Sequence, residues 1–144
     1  MKTKILLAIS IVMAFAQNIF AQEVNGLKIG EKYTKNQIIA ALGQPDEIRG
    51  TSYIYGRSSF YFDSYDNTFV EFYVEDQRFI TMTKEISGGL RVGDNVSKAR
   101  QSKCEIKTEE PNYICFWHYG DWAVWGVGYD NNGKITDISF TLLC

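Results

Sequence analysis

"LKIGEKYTKNQIIAALGQP", Leu27 to Pro45, opens with a phrase that returns as "LRVGDNVSKARQSK", Leu90 to Lys103. The shared skeleton is Leu, basic, apolar, Gly, acidic, any residue, apolar, Thr or Ser, Lys. In the first copy Thr34 is a good N-cap, because its hydroxyl can accept from an orphan N–H of the first helical turn. Gln37 stands where a capping box needs it, and Tyr33 with Ile38 makes a hydrophobic staple. Ile38, Ile39 and Leu42 form an apolar stripe at helical spacing, Gly43 stops the helix and Pro45 prevents its resumption. A helix this short is unstable alone and has to pack on something. In the second copy Ser97 stands in the cap place of Thr34, Arg100 replaces the box residue Gln37, and no "LGQP" closure follows. That helix is expected to be short or irregular.

Strand patterns follow each copy. After the first come "TSYIYG", "SSFYFDS", "TFVEFYVE" and "RFITMTKEI", which read as short antiparallel strands joined by turns at Tyr65–Asn67 and Glu75–Gln77. After the second come "NYICFWHY", "DWAVWGVGYD" and "KITDISFTLL". Asp130–Gly133 is a strong turn signal between the last two, since Asn and Gly tolerate positive φ. The expected fold class is α+β. Two tandem helix-plus-strand repeats, residues 27–86 and 90–144, share one sheet, with the helices on one face and an aromatic-rich face left open. Each half alone is too small for a comfortable core, so the halves are expected to fuse into one domain over residues 22–144.

The first 21 residues read as a secretory signal peptide. Lys2 and Lys4 precede the apolar run Ile5–Ala16, and "IFA" ends at Ala21, where cleavage is expected. The run is too short to span a bilayer comfortably, so no membrane insertion is expected after cleavage. The whole chain carries a formal net charge of −2, and loss of Lys2 and Lys4 makes it more acidic. Without a basic cluster, nucleic acid is not an expected partner. The implied location is periplasmic or extracellular, and a monomer is expected.

Export permits disulfides, and the chain has 3 cysteines. Cys104 and Cys115 are the candidate pair, and Cys144 reaching a neighbour on the last strand is the alternative. No catalytic site is legible. His118 is the sole histidine, three residues from Cys115, a spacing that puts the two on opposite faces of a strand. Asp63 with Asp66, Asp130 with Asn131, and Glu109 with Glu110 are explained by turn chemistry rather than by metal or acid–base work. Neither a cofactor nor a metal site is expected, and the chain reads as non-enzymatic.

The aromatics lie almost entirely in Tyr53–Phe79 and Tyr113–Tyr129. Alternation assigns Val70, Phe72, Val74, Ile80, Met82, Ile138, Phe140 and Leu142 to the covered face. It assigns Tyr61, Phe69, Tyr73, Trp117, Tyr119 and Trp122 to the open face, where they either pair across strands or bind a partner. The doubled phrase, with Leu27, Gly30, Thr34, Ile38, Leu42, Gly43 and Pro45, then Leu90, Gly93 and Ser97, resembles the superfamily of the β-lactamase inhibitor proteins. It is also similar to the SmpA/OmlA-type accessory lipoproteins of outer-membrane β-barrel assembly. That resemblance implies two α+β repeats whose aromatic sheet face grips a protein. Three functions follow as expectations: a binding module, a structural accessory of the cell envelope, or an enzyme with an unrecognised site. The shortage of catalytic groups argues against the third.

Overall fold

Each copy of the opening phrase is clamped to a strand, and by the same bonds. The Gly30 N–H donates to the Phe69 carbonyl at 2.8 Å, and the Phe69 N–H donates to the Glu31 carbonyl at 2.9 Å. In the second copy the Gly93 N–H donates to Ile135 at 2.8 Å, and the Ile135 N–H donates to Asp94 at 2.8 Å. Gly30 and Gly93 have φ of 91° and 95°, which only glycine adopts without strain. The positive φ turns the chain so that both backbone groups of the Gly-acid pair face a strand. The computed structural model describes residues 22–83, 85–118 and 123–142.

In chain order the strands are β1 (Glu23–Val24), β2 (Leu27–Lys28), β3 (Glu47–Arg49), β4 (Ser52–Tyr55), β5 (Ser58–Phe62), β6 (Phe69–Val74), β7 (Thr81–Met82), β8 (Ile106–Glu110), β9 (Tyr113–His118), β10 (Ala123–Tyr129) and β11 (Ile135–Leu142). An α-helix, α1, spans Lys35–Leu42 between β2 and β3, and a 3-10 helix spans Val96–Gln101. An 8-stranded sheet runs in the order β3-β4-β5-β6-β11-β10-β9-β8, and a 3-stranded sheet in the order β2-β1-β7. Every pairing is antiparallel. The large sheet is thus two four-strand meanders joined where β6 pairs with β11, through Ile138↔Val74, Ser139↔Tyr73 and Phe140↔Phe72.

The α+β expectation is overturned: the described chain is mostly β, with one α-helix of 8 residues and a single 3-10 helix. Two local causes account for it. In α1 both halves of the capping box form. The Gln37 N–H donates to Thr34 Oγ1 at 3.2 Å, and the Thr34 N–H donates to Gln37 Oε1 at 2.9 Å. The second copy lacks the box partner, and its cap is Asn95 rather than Ser97, with Asn95 Oδ1 accepting from the Ser97 N–H at 2.9 Å. The turn stays tight, with Ser102 N–H donating to the Ala99 carbonyl at 3.1 Å, the i to i+3 pattern of a 3-10 helix.

The second cause is the hairpin that precedes α1. Asn25 and Gly26 have φ of 48° and 88°, the signs a two-residue hairpin turn needs. They join β1 to β2, and β7 then pairs with β1 instead of extending the large sheet. One sheet was expected and two form. Asn25 also holds the layers together: its Oδ1 accepts from the Ile80 N–H at 2.8 Å, and its Nδ2 donates to the Ala41 carbonyl at 3.3 Å.

Between the large sheet and the layer of α1, small sheet and 3-10 helix lies one continuous core. Phe60 stands at its centre, edge-on to Tyr55 and Phe79 at 5.6 and 4.9 Å and stacked on Phe69 at 6.4 Å. Phe72 and Phe140 stack across the β6–β11 junction at 6.0 Å, and Phe116 stacks on Trp125 at 4.3 Å. Each fully buried ring contributes about 1.5–3 kcal/mol of apolar transfer. The Thr34→Ala substitution is expected to destabilise the fold by about 1 kcal/mol through loss of the cap. A urea midpoint measures it, and an unchanged midpoint would show that α1 is held by packing alone.

Candidate functional site

Two corrections to the expected faces come from one bulge. Tyr61 pairs with Glu71 while Phe62 pairs with Phe69, so Val70 is an extra residue on β6. The bulge inverts the alternation N-terminal to it. Phe69 and Phe72 therefore both point inward, and Phe69 is fully buried against Phe62 and Phe72. It is a core residue, not part of the open face. Val70 is half-buried at the bulge and Met82 is exposed on the small sheet, so these two leave the expected covered set, while half-buried Leu142 packs against the core as assigned. Phe72, Val74, Ile138 and Phe140 are buried as assigned.

The other face of the large sheet is set by register. One row runs Ser52, Tyr61, Glu71, Thr141, Val124, Trp117, and the next runs Ile54, Ser59, Tyr73, Ser139, Gly126, Cys115. Tyr61 and Trp117 lie four strands apart in their row, or about 19 Å at ~4.8 Å per strand. Tyr61 and Tyr73 are 39% and 36% exposed, among the most exposed large side chains on the sheet. With Ser52, Ser59 and Glu71 they line a recess of about 260 Å³. Trp117 is half-buried under the Lys107 ammonium, 4.8 Å from the ring centre. Lys107 reaches it because Ile106 pairs with Phe116 and Thr108 with Cys115, leaving Lys107 as the bulged residue. Tyr119 and Trp122 lie outside the described residues, as does the Gly120–Trp122 segment.

Between the two aromatic ends the floor is made of small groups. A Cβ on Gly126 would come within 2.5 Å of the Tyr113 hydroxyl, and one on Gly128 would run into the Asp137 carboxylate. The glycines are therefore there to let Tyr113 and Asp137 lie flat across the sheet. Burial, then the neighbouring Cys115 thiol, pushes the Tyr113 phenol up to about 12. Burial and the Glu75 carboxylate, which accepts from its hydroxyl at 2.6 Å, push the Tyr73 phenol up as well. Both phenols stay protonated near neutral pH, so they act as hydrogen-bond donors, not bases. Around Tyr73 the charge is acidic: Glu71, Glu75 and Asp137. Glu71 accepts from the Thr141 hydroxyl at 3.2 Å, and Arg57 stands 3.9 Å from Glu75.

A second depression, of about 860 Å³, opens at one end of the sheet among Arg57, Glu75, Asp76, Arg78, Asp130 and Lys134. Its charges are partly self-satisfied. Arg78 pairs with Asp76 at 3.2 Å and lies over the Tyr55 and Phe79 rings. Asp46 holds the β4–β5 turn by accepting from the Gly56 N–H at 2.6 Å. Burial raises Tyr55 to about 12, and its hydroxyl donates to the Gly43 carbonyl at 2.8 Å, so it serves the helix end. This depression was not anticipated from sequence, because five separate segments build it, around Asp46, Arg57, Asp76, Gly93 and Lys134.

The expected disulfide does not form: Cys104 and Cys115 are free thiols. The Trp117 N–H donates to the Glu105 carbonyl at 2.8 Å, which sets Glu105 level with Trp117 and leaves Cys104 about three residues, or roughly 10 Å, along from Cys115. That exceeds the reach of a disulfide. Cys144 lies outside the described residues. His118 ends β9. Among the described residues no group of His, Cys, Asp and Glu is placed to hold a metal, and no helix is long and apolar enough to cross a membrane.

No protein-family model matches the chain, and no curated protein matches it. Among solved structures it is similar to an extracellular protein containing a SCP domain from Bacillus anthracis str. Ames, with 11% identity and a TM-score of 0.45 over 78% of this chain. The match spans 43% of that protein.

Proposed function

We propose that the chain is an exported, non-enzymatic binding module that engages a protein through the open face of its large sheet. One observation carries the reading. Tyr61, Tyr73 and Trp117 flank a shallow floor of Ser139, Thr141, Val124 and Gly126, and α1, the small sheet and the 3-10 helix all pack on the opposite face. Partly exposed Tyr and Trp around a low floor have the composition of an interface hot spot. The acidic groups around Tyr73 favour a partner that presents basic side chains there. The leader-like sequence of residues 1–21 supports export. The likeness of the doubled phrase to the β-lactamase inhibitor superfamily supports the same mode of action, a sheet face closing on a protein.

The test is affinity capture from the native envelope and culture fluid, followed by titration of the partner recovered. Tyr61→Ala, Tyr73→Ala and Trp117→Ala are each expected to weaken binding about tenfold or more while leaving the unfolding midpoint close to that of the native chain. Unchanged affinity in all three variants would end the proposal. Fractionation separates it from the alternative of an envelope accessory: constant association with outer-membrane complexes favours the accessory role, and a free pool favours the binding module.

A further inference from the structure

The inner side of the small sheet holds polar atoms that no described residue satisfies. Gln22 is 0% exposed, and neither its Oε1 nor its Nε2 has a hydrogen-bond partner among the described residues. The pairings of β1 place Gln22 level with Ile29 on one side and with Thr83 on the other. The Ile29 N–H donates to the Gln22 carbonyl at 3.0 Å. Thr83 is buried too, and its hydroxyl has no partner among the described residues. A primary carboxamide enclosed in this way is costly, and native structures contain few such groups. Gln22 is also the residue that follows "IFA", the expected end of the leader. Cleavage there would turn its backbone nitrogen into an ammonium, and an unpaired charge beside a buried side chain costs still more.

We infer that residue 22 is a modification site: once the leader is removed, Gln22 closes to a pyroglutamyl ring, and the ring is what the small sheet encloses. The inference rests on the export reading above. In the step, the free α-amine attacks Cδ of its own side chain. A bond forms between the α-nitrogen and Cδ, the Cδ–Nε2 bond breaks, a proton passes from the α-nitrogen to Nε2, and ammonia leaves. No oxidant, reductant or second substrate enters. The product is a neutral lactam with a single N–H in place of an ammonium and a carboxamide. It keeps the backbone carbonyl that the Ile29 N–H uses. Because Gln22 is fully enclosed, the closure precedes docking of β1 between β2 and β7.

The chain is recovered from the cells that produce it, and its intact mass and N-terminus are determined. The expected species begins at residue 22, is lighter than the Gln-terminated chain by one ammonia, and resists stepwise N-terminal degradation. After unfolding, pyroglutamyl aminopeptidase converts it to a chain beginning at Glu23. A free amine on Gln22, or a cleaved chain that starts elsewhere, overturns the inference and leaves export standing. A chain that retains residues 1–21 overturns both. In a second measurement Gln22→Ser, which cannot cyclise, is expected to melt several degrees below the native chain. An equal or higher melting temperature would show that the fold has no need of the uncharged ring.

Discussion

Replacing Phe60 by alanine is expected to destabilise the fold by about 3–5 kcal/mol. Phe60 is fully buried and touches three rings from three other segments, Tyr55, Phe69 and Phe79. Truncation removes the transfer free energy of the ring. It also leaves a cavity that the β4–β5 hairpin, β6 and the loop before β7 cannot collapse around at once. The next residue makes the control. Tyr61 points to the opposite face and is 39% exposed, so Tyr61→Ala should stay within about 1 kcal/mol of the native chain. Guanidinium unfolding of the two variants measures the contrast. A loss at Phe60 below about 1 kcal/mol would mean that the core is not centred there. The same pair separates stability from binding, because Tyr61→Ala is the variant expected to lose the partner.

Gly89→Ala is expected to be nearly as damaging. Gly89 has φ of +75°, and a Cβ there would sit 2.7 Å from the Thr81 carbonyl oxygen and 2.8 Å from Ile80 Cγ2. The left-handed backbone costs a non-glycine residue about 1–3 kcal/mol. The crowding adds about 1–3 kcal/mol, because its first contact is a backbone atom that cannot turn aside. Thr81 and Leu90 exchange hydrogen bonds of 3.0 and 2.7 Å at this point, so relief of the clash pulls the second copy of the phrase away from β7. Gly88 supplies the comparison: its φ is +77°, but a Cβ there meets nothing within 4 Å. Gly88→Ala should therefore show the backbone cost alone. If the two variants unfold at the same denaturant concentration, the close approach of Gly89 to β7 is not a constraint on the fold.

What could be read from the chain depended on how far apart the interacting groups are. The Thr34–Gln37 box, the stop at Gly43 and the Asp130–Gly133 turn each involve residues within a few positions, and all formed. The Asn25–Gly26 hairpin was equally local. Its signal, "VNGL", is weak because the flanking strands have only 2 residues each. The faces of Tyr61 and Tyr73 followed from simple alternation. Phe69 did not, because alternation counts residues and a bulge at Val70 adds one that the count does not show.

By itself the sequence determined the local devices: the helix cap, the turns, the strand-forming runs, and the Gly-acid pairs at Gly30 and Gly93 that begin each half. These act through bonds between near neighbours, whose geometry the residue types dictate. Only the tertiary structure decided the rest. It put β6 beside β11, sent β7 to β1, seated Tyr113 over Gly126, kept Cys104 out of reach of Cys115, and enclosed Gln22. Each of these depends on which distant surfaces bury the most apolar area together. That choice belongs to the whole chain at once, and no stretch of it carries the answer alone.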